Sequence, residues 1–262
     1  MGQPGDTTAR LQRGTRKHFM KLADIIFRFR FWVLTCIYFL GFWAPLDRMG
    51  GAHPGSAWLF LAGALAHYRI LPIAYSSIAV MGVAILLALL AAMLRTWGAA
   101  YLGSDVVGDR ALSGERIVAD GPFRYVRNPL YVGLWLHTLA LSILMPPGGA
   151  LFAVVAIALV IVVLVHAEER WLAAQHGETY AVYRRKVPRF LISPVPRVAL
   201  GGERARWDNG FLGEIYQWGV CVTYIAFASR YNVTLLEQGV LISLGVSIMV
   251  QGLLRPQSQV GR

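Results

Sequence analysis

The sequence predicts an all-α fold, a polytopic bundle of about six membrane-spanning helices with short interfacial helices beside them. Three observations predict it. Of the 262 residues, 56% are hydrophobic and only 15% are charged, against about 25% charged in an ordinary soluble domain. Several runs stay uncharged over the roughly 20 residues that a helix needs to cross a hydrocarbon layer about 30 Å thick. The basic residues, finally, gather in alternate connections between those runs, as the positive-inside rule describes.

The elements follow in order. A basic segment, 1–30, precedes the first apolar run, Phe31 to Leu46; no small-residue cleavage site follows that run, so it reads as a retained anchor. Ala57 to His67 is apolar but only 11 residues long. Counting it as a crossing would move Arg69 inside and the basic 95–127 stretch outside, so a re-entrant or interfacial helix on the outer side is expected. Leu71 to Leu94 is the clearest span. Pro129 to Pro146 and Gly148 to Val165 make a helical hairpin around a Pro-Pro-Gly-Gly turn. Phe211 to Ser229 and Leu235 to Leu254 supply the last pair. The expected organisation is thus a basic N-terminal segment (1–30), N-terminal helices (31–97), a central region with the hairpin (98–197), a polar Gly-rich linker (198–210) and a C-terminal hairpin (211–254).

A net charge of +11 raises the question of a nucleic-acid partner, and the placement of the charge answers it. Of the 25 Lys and Arg residues, 7 precede Phe31, 5 lie from Arg95 to Arg127, 8 from Arg170 to Arg206 and 2 follow Leu254. Arg48, Arg69 and Arg230 alone occupy the other connections. A membrane partner explains this, with both termini and the two long basic loops in the cytoplasm, and no nucleic acid is expected. Cys36 and Cys221 each sit in an apolar run without metal-ligand spacing, so no metal site is expected.

Chemistry concentrates in three pieces that flank the central hairpin. In Gly121 to Gly133, GPFRYVRNPLYVG, Asn128 and Pro129 have the grammar of a helix start. Two readings of this piece stand side by side. Arg124 and Arg127 serve as headgroup anchors, or they and the helix N-terminus bind a carboxylate or phosphate. The second piece, Glu168-Glu169, lies at the end of an uncharged helix, where an acid opposes the helix dipole and sits close to hydrocarbon. Something positive is expected to face it. His166 stands beside it as a packed interfacial residue or a proton acceptor. In the third piece, His176 to Leu191, Gly177 closes one helix while Tyr180, Tyr183 and Val187 recur at helical spacing up to Pro188. That spacing describes an amphipathic interfacial helix.

Together the three pieces resemble the isoprenylcysteine carboxyl methyltransferase and phospholipid methyltransferase superfamily of membrane enzymes. The family's R-H-P-x-Y-x-G segment corresponds to Arg127 to Gly133, its Glu-Glu pair to Glu168-Glu169, and its final segment to His176-Gly177 through Pro188-Arg189-Phe190. The resemblance implies S-adenosylmethionine as cofactor, bound by Arg116, Ile117, Val118, Phe123, Asn128, Pro129, Leu130, Tyr131 and Glu168. It implies methyl transfer to oxygen or nitrogen of a lipid or lipidated small substrate, at a site facing the cytoplasm. Arg127 is expected to hold charge in the reacting region, and Glu169 or His166 to take a proton where the acceptor needs it.

Two positions depart from the family pattern. Asn128 replaces the family histidine and cannot carry a proton or a positive charge. Leu164 stands where the animal isoprenylcysteine enzymes have an arginine, which disfavours an isoprenylcysteine acceptor. The alternatives are a non-catalytic protein that uses the same scaffold to bind a lipid or partner, and a membrane reductase.

Overall fold

In the computed structural model the structure is described for residues 29–43, 55–102, 118–230 and 233–254. All regular structure among these residues is helical. The α-helices are α1 (Arg30–Trp43), α2 (Ala57–His67), α3 (Ile73–Leu102), α4 (Pro129–Ser142), α5 (Pro147–Lys186), α6 (Trp207–Gly213), α7 (Ile215–Arg230) and α8 (Val233–Leu254). A single 3-10 turn, Gly121–Arg124, precedes α4.

Among the described residues two helices, α3 and α5, are long and apolar enough to cross a membrane. The six runs read from the sequence do not all reach that length. Pro129 starts α4 late, and the turn at Pro146 follows soon after its end, leaving 14 residues, or about 21 Å of helix. The short apolar segment at 57–67 does form a helix of its own, α2. Its first backbone donors, which no helix can satisfy internally, reach the end of the preceding hairpin arm. Ala57 N–H donates to Met145 O and Trp58 N–H to Ile143 O, both at 2.7 Å.

Each long helix has an exposed and a buried apolar face, and on α3 the buried face is built of alanines. On α5 the exposed residues Leu151, Val155, Leu159 and Val162 alternate at helical spacing with buried Ala153, Ile157, Ile161 and Leu164. On α3, Val83, Leu86, Leu90 and Met93 face out while Ala84, Ala88, Ala91 and Ala92 face in. Small inward residues let backbones approach closely, which is how helices associate when the surroundings are as apolar as their side chains. The closest approach joins α1 to α5, where a Cβ on Gly149 would run into the Gly41 carbonyl.

Beyond its apolar part α5 breaks at Gly177, whose φ of 51° is left-handed, a conformation glycine adopts without steric cost. The chain then turns back as the amphipathic segment expected from the sequence. Tyr180, Tyr183 and Val187 pack against Ala119, Leu172, Ala173 and Val198. Val187 ends the helix in an extended conformation, as a residue before proline must. The return strand of chain then lies against the entry to α4, with Arg127 N–H donating to Pro188 O, Ser193 N–H to Tyr125 O and Arg197 N–H to Arg124 O. Residues 198–210, read as a linker, are tied down: the buried Asp120 carboxylate accepts Gly201 N–H at 2.7 Å and Glu203 N–H at 2.8 Å.

Gly149→Val is expected to force α1 from α5 and to cost about 1–3 kcal/mol. Thermal unfolding in detergent measures this, and an unchanged melting temperature would show that the helices do not cross at these glycines.

Candidate active site

The site grows from the start of α4. Asn128 precedes Pro129 and makes no side-chain capping bond to its own helix. Its amide, 5% exposed, turns across the hairpin instead. Nδ2 donates to Glu169 Oε1 at 3.3 Å and to Arg189 O at 3.2 Å. The two polar ends of the hairpin, far apart in sequence, therefore touch.

Glu169 is 4% exposed, and burying a carboxylate requires positive charge and donors around it. Arg189 supplies a two-pronged pair, Nη2 to Oε2 at 2.7 Å and Nε to Oε1 at 3.2 Å, the planar match that guanidinium makes best. Arg127 Nη1 also stands 3.0 Å from Oε1, at an angle that makes no hydrogen bond. The buried Nε and Nη1 of Arg127 have no hydrogen-bond acceptor among the described residues. One carboxylate thus faces two guanidiniums, with Glu168 half-buried on the next face of α5 and the Tyr180 phenol against Arg127. Buried guanidinium donors of this kind are suited to an anion.

The other expected site residues gather around this centre to different degrees. Phe123 is buried in the 3-10 turn, and its carbonyl accepts the Tyr183 hydroxyl at 2.8 Å. Pro129 and Leu130 are buried in the first turn of α4, Tyr131 and Val118 are half-buried, and Glu168 is half-buried on the next face of α5. Arg116 and Ile117 lie outside the described residues. His166 is exposed, with Nδ1 2.7 Å from Val162 O and Nε2 3.1 Å from Arg189 Nη1. Because arginine only donates, Nε2 is the acceptor and Nδ1 carries the proton to Val162.

Sequence reading missed Tyr180 as a site residue. Its phenol is buried beside Arg127, and burial, reinforced by the Glu169 carboxylate, pushes its ionisation up to about 12. The reading also passed over Arg189 as the main partner of Glu169, and over the ion pair of Arg95 with Glu214, Nε to Oε2 at 2.6 Å. The available signal was charge balance. An arginine and an acid beside long uncharged helices each need a partner, although the sequence does not say which.

Glu169→Gln is expected to strand two guanidiniums and to cost about 3–5 kcal/mol, read as a loss of thermal stability in detergent; a stability equal to the parent's would show that the pair is not buried as described. Tyr180 gives a pH dependence. Its folded value lies above the ordinary 10, so the folded state binds the proton more tightly and the contribution is complete below pH 10. It is lost as pH rises from 10 toward about 12. Tyr180→Phe should flatten stability across that window, and an identical decline in the variant would remove Tyr180 as its source.

Comparison with known proteins finds similarity over the hairpin region. Residues 78–179 match the model of the phospholipid methyltransferase family. A methanethiol S-methyltransferase of Crocosphaera subtropica is 42% identical over 66 residues, which cover 25% of this chain and 25% of that protein. The chain thus aligns with a quarter of that relative's length. No solved structure matches. The joined ends at Asn128 and Glu169 both fall inside the stretch, residues 78–179, that is similar to the phospholipid methyltransferase family.

Proposed function

We propose that this protein is an integral-membrane, S-adenosylmethionine-dependent methyltransferase working at the basic end of its hairpin, in the cytoplasm, on an apolar acceptor. The observation that carries this reading is Arg127, which is held beside Glu169 with two buried donors unspent, next to the first turn of a helix that Asn128 leaves uncapped. Unspent guanidinium donors and a helix N-terminus fit the carboxylate of an amino-acid group. Glu168 is suited to the ammonium or ribose hydroxyls, and Val118, Phe123 and Leu130 to the apolar face of an adenine; the family resemblance adds Arg116 and Ile117 to the cofactor-binding set. When bound, the cofactor supplies an electrophilic methyl group on a sulfonium.

The chain's own part is orientation and exclusion of water. Glu169, saturated by Arg189, Asn128 and Arg127, keeps Arg127 in place. An acceptor that attacks as an anion needs no base. An amine or thiol must release its proton, and His166, whose Nε2 lone pair now receives Arg189, is a group able to take it after that arginine swings away; Glu169 is the other. We read α1, α4, α7 and α8 as further crossings beside α3 and α5. Arg69 and Arg230 stand at the far end from the site, and the remaining described Lys and Arg residues at the near end, which orients the site inward.

A lipid or lipidated molecule is the first acceptor class, because the site lies where the long apolar helices give way to the basic end. A small apolar thiol is the second, favoured by the relative named for methanethiol.

The test uses the protein in lipid nanodiscs with cofactor carrying a tritiated methyl. One arm offers extracted lipids and reads label in the organic phase; the other offers methanethiol and reads volatile methylated sulfide. Label in either arm is the expected result. Asn128→Ala and Glu168→Ala are each expected to weaken cofactor binding by about tenfold, the factor that 1.4 kcal/mol produces. No transfer in either arm together with no cofactor binding by the parent protein would overturn the reading.

A further inference from the structure

The C-terminal segment from Glu214 onward lies outside the family match, which ends at residue 179, yet it reaches the proposed site through one guanidinium. Arg95 sits in the inner part of α3 and makes three attachments. Its stem lies across Gly133 of α4, where any Cβ would collide with it. Nη1 donates to Leu130 O, in the first turn of α4, at 3.1 Å. Nε and Nη2 grip both oxygens of Glu214 at 2.6 and 2.8 Å. Glu214 is 2% exposed and caps the short helix α6 immediately before α7 begins.

Each attachment constrains a different direction. Leu130 and Gly133 fix the guanidinium along α4, while Glu214 is the counter-charge that allows it to remain there. Without Glu214 a buried cation would have to rotate toward water, and arginine stems are long and flexible enough to do so. The first turn of α4, which begins one residue after Asn128 and two after Arg127, would then lose its lateral support.

We infer that Glu214 is a positioning residue for the cofactor end of the hairpin, holding Arg95 against Leu130 and Gly133 so that Arg127 and Asn128 keep their places. The inference rests on the methyltransferase reading above. The C-terminal helices thereby set the geometry of a site to which they contribute no ligand.

A merely structural role would lower stability without changing cofactor affinity in the protein that remains folded. The test therefore pairs variants. Glu214→Gln leaves a buried arginine uncompensated and is expected to lower thermal stability and to weaken S-adenosylmethionine binding by about tenfold, equivalent to 1.4 kcal/mol. Arg95→Met/Glu214→Met removes both charges together, which in buried pairs is often neutral or stabilising; stability is expected to return, while affinity stays about tenfold low because Leu130 has lost its donor. Trp218→Phe is the control. It removes the neutral bond from Trp218 Nε1 to Thr96 Oγ1, 2.9 Å, which also ties α7 to α3 but bonds nothing in the first turn of α4, and affinity should remain within about twofold of the parent's.

Isothermal titration of detergent-purified proteins with S-adenosylmethionine reads all four. Parental affinity in the double methionine variant, or an equal loss in Trp218→Phe, would overturn the positioning role. Absence of binding by the parent protein would instead overturn the methyltransferase reading, so the two failures are distinguishable.

Discussion

A carboxylate buried at the end of an apolar helix governs the architecture of the site. Glu169 is 4% exposed, so solvation by water is poor. Its burial is tolerable only with cations and donors on several sides. Arg189 comes from the return segment after Pro188, and Arg127 and Asn128 from the opposite arm of the hairpin. The demand of one acid therefore draws three segments together, and the chain reversals at Gly177 and Pro188 exist in the service of that convergence.

Asparagine at position 128 suits this role. Its single amide nitrogen carries two protons, and the two go to a carboxylate oxygen of Glu169 and the backbone oxygen of Arg189. Both partners are acceptors, and both belong to the other side of the hairpin. A neutral double donor joins them without adding a third positive charge to a site that already holds two guanidiniums. The departure from the family histidine thus coincides with a charge balance in which Arg127 retains spare binding capacity.

Local grammar made much of this legible. The Asn128-Pro129 start, the Gly177 break and the stop at Val187-Pro188 each depend on the conformational limits of one or two residues, and all appear where the sequence places them. The need for positive charge opposite Glu169 was legible too, as a matter of electrostatics. What no local pattern encodes is partner choice across the fold. Arg189 joins Arg127 at Glu169, and Arg95 meets Glu214 across 119 positions. Helix length was the other gap: the run was read from Pro129 to Pro146, whereas α4 ends at Ser142, because apolar composition does not by itself say where the hydrogen-bonded ladder stops.

The mutual capping of α2 and the segment after α4 has a bearing on how the molecule sits in lipid. Two carbonyls at Ile143 and Met145 and two amides at Ala57 and Trp58 satisfy one another directly, so this rim of the bundle requires no hydration. Backbone groups paired in this way make no demand on water, so this rim tolerates a drier setting than bare helix ends would.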